Sequence, residues 1–254
     1  MTPSSSSSSS ASTTIDPRDL DTPDAWIPRH PDLIRLTGRH PFNCEPPPQH
    51  LKTFVTPTDL HFVRNHGAVP RRSWESHTLT IDGGVASPIT LSMQELTEKF
   101  AEHVMTLPVL VVCSGNRRKE QNMIKKTIGF SWGVGAAATS NYTGVPLHVL
   151  LAACGIDRER AKHVWFEGAD SLVDGKGYGT SIPAHTALDP TCDVLVAWAM
   201  NDEPLSVDHG FPLRIIVPGH VGGRMVKWLA RIHVSDIEST NYYHIHDNRL
   251  LPSH

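Results

Sequence analysis

The chain of 254 residues lacks several features that mark large classes of protein. No apolar run approaches the roughly 18 residues that a membrane span requires, and the N-terminus lacks the basic-then-apolar order of a secretory signal. The formal net charge of −3 argues against a nucleic-acid partner, because domains that bind nucleic acid are usually basic overall. The sequence therefore predicts a globular protein that neither spans a membrane nor binds nucleic acid.

Cysteine is scarce, and the sequence contains no Cys-x-x-Cys pair. The four cysteines are Cys44, Cys113, Cys154 and Cys192. Their wide spacing fits neither a disulfide framework nor a structural zinc site, and it favours a reducing, cytoplasmic setting. A dinucleotide-binding Gly-x-Gly-x-x-Gly loop is also missing, since the glycines of 175–179 have the wrong spacing. No His-Pro-Gly-Gly haem-binding element occurs either.

The composition divides the chain into a tail and one domain. Residues 1–14 are nearly all Ser, Thr and Ala, with seven consecutive serines from Ser4, and residues 15–24 are acidic and contain proline. Such a segment cannot bury apolar surface, so we expect a disordered tail over 1–28. Residues 29–254 are long enough for one domain with a substantial core, given a hydrophobic content of 39% for the whole chain.

Local patterns predict both helices and strands. Residues 92–95 form a capping box that opens a helix to about His103, and Pro146 opens a second helix that Gly155 ends. Apolar runs at 193–200 and 213–217 predict strands buried on both faces. Strands in mixed order with few helices indicate an α+β domain.

The segment 109–119 carries the clearest chemical signal. An apolar run, typical of a buried strand, leads into Cys113, then small turn-forming residues, then the cations Arg117, Arg118 and Lys119. A thiolate is a soft metal ligand, and nearby cations favour the thiolate and attract oxyanions. Of these cations, Arg117 and Arg118 are the better candidates for binding an anion. The alternative is a buried, inert thiol, the commoner state of a free cysteine.

The sequence Cys113-Ser114-Gly115-Asn116-Arg117-Arg118 resembles the cysteine loop of the sulfite oxidase and eukaryotic nitrate reductase family of molybdenum enzymes. Further similar segments follow the family's order over residues 30–254, and 119–123 and 128–133 are similar to the nitrate reductase branch. The remaining similar segments are 62–66, 166–170, 208–214, 217–219, 227–229, 241–244 and 247–249. The resemblance implies a mixed-sheet, sulfite-oxidase-type molybdopterin-binding domain over 29–254.

The resemblance also implies a set of cofactor-binding residues. Cys113 would be the only protein ligand of molybdenum. Contacts to the pterin and its phosphate would come from Arg64, Asn65, His66, Asp170, His209, Arg214, Met225, Val226 and Lys227. Without the resemblance, Asp170 could equally be a turn cap and Arg214 a partly buried ion pair.

Four residues match the substrate site of the family. Arg118 lies at the position of the substrate-binding arginine, and Arg64 would help to hold the anion. Trp132 and Asn248 match residues of the nitrate pocket. Trp132 could instead be packed in the core, and Asn248 could be a turn former, with Asn241 as a rival for its role.

The function implied is the two-electron reduction of nitrate to nitrite by oxygen-atom transfer, as in an assimilatory nitrate reductase. Nitrate reductases of plants and fungi are homodimers that carry dimerisation, haem and flavin domains after the molybdenum domain. We expect those domains, with their haem and FAD, to be absent from this chain and to supply its electrons. The alternatives are oxidation of sulfite, which shares the Gly-Asn-Arg-Arg motif, and a truncated molybdopterin-binding domain without turnover. A thiol-redox protein is disfavoured because no second cysteine lies near Cys113.

Overall fold

The computed structural model describes residues 14–247 of the chain, and its strands and helices are mixed as expected for an α+β protein. The strands are β1 (Ile34–Arg35), β2 (Asn43–Glu45), β3 (Val63–Arg64), β4 (Thr78–Gly83), β5 (Ile89–Ser92), β6 (Met105–Val112), β7 (Ala137–Pro146), β8 (His163–Gly168), β9 (Gly179–Pro183), β10 (Leu195–Met200), β11 (Glu203–Pro204), β12 (Arg214–Ile216) and β13 (Leu229–Ser235). The α-helices are α1 (Met93–Lys99), α2 (Arg118–Ile124), α3 (Leu147–Ala153) and α4 (Ala184–Leu188).

The strands form three sheets. A small antiparallel sheet has the order β1-β2-β3. One five-stranded sheet has the order β11-β10-β7-β6, with β12 also paired to β10, and all of its pairs are antiparallel. The other has the order β5-β4-β13-β8-β9, in which β4 and β13 run parallel and the remaining pairs are antiparallel. The mixed sheet expected from the sequence is therefore present.

One main hydrophobic core joins the two larger sheets. Buried side chains from β4 and β8, such as Ile81 and Phe166, belong to the same cluster as Val196 of β10 and Ile215 of β12. Leu150 of α3 is also fully buried in this cluster. Burial of such side chains contributes roughly 1.5–3 kcal/mol each, so this core holds the loops that connect the sheets in fixed positions.

The predicted helix starts are confirmed. Ser92 Oγ accepts a hydrogen bond from the backbone N–H of Glu95, and Glu95 Oε2 accepts one from the backbone N–H of Ser92, which completes the capping box of α1. The helix ends at Lys99, earlier than predicted, and a separate 3₁₀ turn spans Ala101–His103. Helix α3 begins after Pro146 and ends just before Gly155, whose φ is +65°.

The predicted strands are present, although their burial differs. Both β10 and β12 lie within the predicted runs, and every residue of β12 is buried. Strand β6 ends at Val112 as expected, but Val109 and Val111 are buried while Leu110 is 55% exposed. The interpretation of this run as a buried strand is wrong for one of its faces, which stays open to solvent as is common in antiparallel sheets.

The disorder expected over residues 1–28 differs from the structure in the part that is described. A 3₁₀ turn spans Pro17–Asp19, and Asp19, Asp24 and Ile27 are buried. The buried guanidinium of Arg29 binds both aspartates, so neither carboxylate is buried without a partner. Residues 1–13 lie outside the described part of the chain. Among the helices that are described, none has the length and apolar character to cross a membrane.

Candidate active site

A cavity of about 530 Å³ brings together twelve of the residues that the sequence singled out. Its lining includes Arg64, Asn65, His66, Cys113, Arg118, Trp132, Asp170, His209, Arg214, Met225, Val226 and Lys227. Asn248 lies outside the described residues. The lining residues come from β3, β12 and the start of α2, and from the segments that follow β3, β6, α2, β8, β11 and β12. The sheets and the core therefore position the cavity.

Cys113 lies directly after β6 and faces the cavity. Its backbone N–H donates to Ala136 O at 2.9 Å, and its Sγ accepts a hydrogen bond from the backbone N–H of Gly115 at 3.4 Å. Burial raises the pKa of the thiol and outweighs the opposing influence of Arg64 and Arg118. The two arginines favour the thiolate, as expected, but burial has the larger effect on the pKa. Coordination to a metal would favour the thiolate despite this burial, because a coordinated thiol loses its proton.

The two arginines that follow the cysteine loop, Arg117 and Arg118, lie in different environments. Arg117 has a left-handed backbone conformation, with φ of 63°, and its exposed guanidinium pairs with Glu120 at 2.5 Å. It does not line the cavity, so its interpretation as an anion-binding group is wrong. Arg118 begins α2, and its Nη1 donates to Phe130 O at 3.2 Å. Gly129 lies against this side chain, since a Cβ there would be 2.6 Å from Arg118 Nη1.

Trp132 forms part of the cavity wall and of the core at once. Its side chain is 1% exposed, and its ring meets that of Phe62 edge to face at 6.0 Å between centroids. A Cβ on Gly115 would lie 2.6 Å from Trp132 Cδ1, so the glycine lets the cysteine loop pass close to the indole. Trp132 therefore packs in the core and also lines the pocket, so the two interpretations of this residue are compatible.

Arg64 enters the cavity from the end of β3. Its Nη1 donates to the backbone carbonyl of Asn65 at 2.7 Å, and its guanidinium lies 5.1 Å from the centre of the Phe130 ring. The Nη2 atom is 3.8 Å from Asp247 Oδ2. Burial is the largest influence on Arg64 and lowers its pKa. The backbone contact of Arg64 fixes a cation beside Cys113 with one carboxylate nearby.

Arg214 and Lys227 place positive charge deeper in the cavity. Arg214 donates to the carbonyls of His209 at 3.0 Å and Met225 at 3.2 Å. Its buried Nε has no hydrogen-bond partner, and no carboxylate among residues 14–247 forms a salt bridge with it, so the ion-pair interpretation is wrong. Lys227 Nζ donates to the carbonyl of Asp208 at 2.8 Å and to Asn65 Oδ1.

Burial lowers the pKa of Arg214, and it lowers the pKa of Lys227 to about 7. Buried cations with so little compensation carry a desolvation cost that an anionic ligand would relieve. The donor set therefore fits a group that carries a phosphate, since guanidinium and ammonium groups both bind phosphate oxygens.

Asp170 and the two cavity histidines contribute neutral or backbone-bound groups. Asp170 Oδ1 accepts from the backbone N–H of Tyr178 at 2.9 Å, which supports the turn-cap interpretation while the residue still lines the cavity. Burial raises the pKa of Asp170. Burial lowers the pKa of His66 to about 4 and that of His209 to about 3, so both rings are neutral at pH 7.

Several lining residues were not predicted from the sequence, including Asp208, Tyr178 and Asp247. Asp208 accepts hydrogen bonds from Asn65 Nδ2 and Arg29, Tyr178 donates from its hydroxyl to Gly223 O, and Asp247 lies 2.9 Å from His66 Nε2. Asp208 and Asp247 are the first residues of the similar segments 208–214 and 247–249. Both could therefore have been predicted as site residues from their place in those segments. No local sequence pattern marks Tyr178 as a site residue.

Comparison with known proteins identifies the family. A sequence model of the oxidoreductase molybdopterin-binding domain matches residues 66–243. The chain belongs to this family. The predicted molybdopterin cofactor, the oxidoreductase class and the α+β fold are thereby confirmed.

Individual relatives agree with the motifs that resemble nitrate reductases. The chain is 66% identical to a nitrate reductase [NADPH] of Phytophthora infestans, over 94% of this chain and 26% of that protein. It is 53% identical to an inducible nitrate reductase [NADH] of Glycine max, over 96% of this chain and 28% of that protein. The chain thus spans about a quarter of the length of these relatives.

A solved structure shows the same architecture. The sulfane dehydrogenase SoxCD of Paracoccus pantotrophus superposes with a TM-score of 0.67 and 27% identity, covering 86% of this chain and 51% of that chain. The fold of this chain is therefore shared with part of a protein that is not named as a nitrate reductase.

Proposed function

We propose that this chain reduces nitrate to nitrite, as the catalytic domain of an assimilatory nitrate reductase. The observation that carries the proposal is the convergence of Cys113, Arg64 and Arg118 on one cavity that also holds the buried cations Arg214 and Lys227. The identity of 66% to a nitrate reductase supports the choice of substrate.

The residues divide into those that would hold the molybdenum cofactor and those that would hold nitrate. Cys113 Sγ would be the metal ligand, and Arg214 and Lys227 would bind the phosphate. The remaining pterin contacts are Arg64, Asn65, His66, Asp170, His209, Met225 and Val226. When bound, the cofactor supplies the oxygen-atom transfer and the two electrons.

Nitrate requires fixed cationic donors rather than a general base, because it is a planar anion of low basicity. Arg118 and Arg64 provide guanidinium groups whose planar N–H pairs match its oxygens. Trp132 closes one wall and keeps water from that side, and Asn248 would add a further polar contact. Donors held in place before substrate arrives stabilise the charge that develops as the N–O bond breaks.

We further propose that haem- and flavin-bearing domains or proteins deliver the electrons, that the protein acts as a homodimer, and that it resides in the cytoplasm. The lengths of the curated relatives, about three and a half times that of this chain, support additional domains. The four cysteines, all free, suit a reducing compartment.

The test is nitrite formation from nitrate with reduced viologen dye as electron donor, normalised to bound molybdenum. The dye replaces the haem and flavin, so the assay measures the chemistry of this domain. We expect turnover in the wild type and a loss on the order of 100-fold in kcat/KM for Arg118→Lys, which removes the planar donor. Arg117→Lys is the matched control and should retain activity, because Arg117 pairs with Glu120 outside the cavity.

Sulfite oxidation is the second candidate, since the cysteine loop is shared between the two branches. A molybdenum-loaded protein that oxidises sulfite with ferricyanide and forms no nitrite would replace nitrate reduction with this activity. Bound molybdenum with neither activity would instead identify a molybdopterin-binding domain without turnover.

A further inference from the structure

The acidic residue Asp247 lies in the cavity that is otherwise dominated by cations. Its Oδ2 atom is 2.9 Å from His66 Nε2 and 3.8 Å from Arg64 Nη2. The segment that carries it, Tyr243–Asp247, is held against the cavity by a cluster of rings, in which His66 lies 4.7 Å from both Tyr178 and Tyr243 between centroids. The carboxylate is therefore anchored at the site and is not a loose surface group.

The charge of Asp247 acts on the groups assigned to substrate. The hydrogen bond from His66 is the largest influence on its pKa and lowers it, and the cations Arg64 and Arg118 lower it further. The carboxylate is consequently ionised at neutral pH. In turn, its charge helps to raise the pKa of Cys113. An anion held by Arg64 and Arg118 would thus feel a fixed negative charge nearby.

The other two carboxylates of the cavity face different partners. Asp170 binds the backbone N–H of Tyr178, and Asp208 binds Arg29 and Asn65. Among the described lining residues, Asp247 is the carboxylate that lies beside Arg64. Its placement removes part of the positive potential where an oxyanion would bind, while leaving both guanidinium groups as donors.

We propose that Asp247 determines the charge selectivity of the site, favouring a singly charged oxyanion such as nitrate over a doubly charged one such as sulfate. This inference rests on the proposed function, because it takes Arg64 and Arg118 as the anion-binding pair. The physical reason is that a fixed negative charge repels a dianion twice as strongly as a monoanion at the same distance. The carboxylate thereby separates two substrate classes that the shared cysteine loop does not distinguish.

A purely structural role is the competing explanation, in which Asp247 only anchors its segment through His66. Asp247→Asn tests the difference, because the amide keeps a hydrogen-bond acceptor for His66 and loses the charge. Asp247→Glu keeps the charge, and Asp247→Ser removes it in a second way should the asparagine variant not fold. Asp82→Asn is the matched control, since Asp82 also pairs with one histidine and one arginine, His233 and Arg231, outside the cavity.

The measurement is isothermal titration calorimetry of the molybdenum-loaded protein with sodium nitrate and with sodium sulfate at constant ionic strength. We expect Asp247→Asn and Asp247→Ser to raise the affinity for sulfate relative to nitrate by about tenfold, the effect of one nearby charge in a partly solvated site. Asp247→Glu and Asp82→Asn should keep the wild-type ratio. An unchanged ratio in a folded, charge-free variant would overturn the proposal, as would a wild type that binds neither anion.

Failure of the proposed function has a different signature. In that case the wild type would form no nitrite with the viologen donor, yet the ratio of sulfate to nitrate affinity could still change on removing the Asp247 charge. The binding ratio and the turnover therefore report separately on the selectivity of the site and on its reaction.

Discussion

Arg29 and Asp208 lie 179 positions apart in the sequence and form a two-bond ion pair, with Nε 2.9 Å from Oδ2 and Nη2 3.0 Å from Oδ1. The same Asp208 accepts from Asn65 Nδ2 at 3.0 Å, and its carbonyl accepts from Lys227. Arg29 lies before residue 66, where the family match begins. A residue outside the matched region thus fixes two groups of the proposed cofactor site.

Arg29→Met should destabilise the protein by about 3–5 kcal/mol, because it leaves the carboxylates of Asp19, Asp24 and Asp208 buried without their shared cation. Urea denaturation measures this change. The control is Arg39→Met, whose side chain is 60% exposed and pairs with an Asp21 that is 80% exposed. That variant should lose no more than about 1 kcal/mol. Equal losses in the two variants would contradict this account of the buried network.

Gly129→Ala should lower activity more than stability. Gly129 has a φ of +113°, and its added Cβ would force the end of the Arg118 side chain to move. Gly175 also has a positive φ, of +70°, but a Cβ there meets nothing within 4 Å. Both alanine variants should lose stability through backbone strain of roughly 1–2 kcal/mol.

Only Gly129→Ala should also reduce kcat/KM for nitrate, by up to about 100-fold, since the substrate-binding guanidinium is displaced. Steady-state kinetics with the viologen donor, beside thermal unfolding, separates the two effects. A parallel fall of activity in Gly175→Ala would show that strain alone is responsible.

Cys113→Ser should abolish nitrite formation and leave the fold intact, because the hydroxyl is a poor substitute for a soft thiolate ligand. Molybdenum content, turnover and circular dichroism report on the metal, the reaction and the fold. Cys192→Ser replaces another half-buried thiol, which lies outside the cavity, and should retain all three. Turnover that persists in Cys113→Ser would remove Cys113 from the mechanism.

The buried histidines should make the protein sensitive to acid. The pKa of His66 is lowered to about 4 by burial, so in the folded state the ring stays neutral from its usual pKa of about 6.5 down to about 4. Over this pH range the histidine of the unfolded chain is protonated while that of the folded protein is neutral. Lowering the pH therefore stabilises the unfolded chain relative to the folded protein. Each histidine of this kind lowers the free energy of unfolding by about 1.4 kcal/mol for every pH unit between its unfolded-state and folded-state pKa values.

The free energy of unfolding should thus decline between pH 6.5 and 4, and His66→Gln should decline less steeply than the wild type. His103→Gln, at an exposed position, serves as the control and should follow the wild-type curve. Denaturant unfolding at a series of pH values gives both slopes. Identical slopes for wild type and His66→Gln would exclude His66 as a source of acid sensitivity.

Local signals in the sequence predicted local structure well. The capping box at 92–95 and the strand that ends before Cys113 follow from neighbouring residues, and the resemblance named twelve residues that line one cavity. Contacts between distant parts of the chain were not predictable in the same way. The packing of the segment around Asp19 depends on Arg29, and the net pKa of Cys113 depends on burial that charge counting does not reveal.

The parallel pairing of β4 with β13 has a consequence for how the site is assembled. Asp82 and Arg231, which join these strands, are 149 positions apart, and β13 lies in the middle of its sheet. Contacts of such separation form late in folding, because a long loop must close before they are made. Lys227 lies two residues before β13, so during synthesis a growing chain lacks a finished cofactor cavity until most of the domain has left the ribosome. A cavity able to hold the cofactor therefore requires residues from distant parts of the described chain, from Arg64 to Asp247.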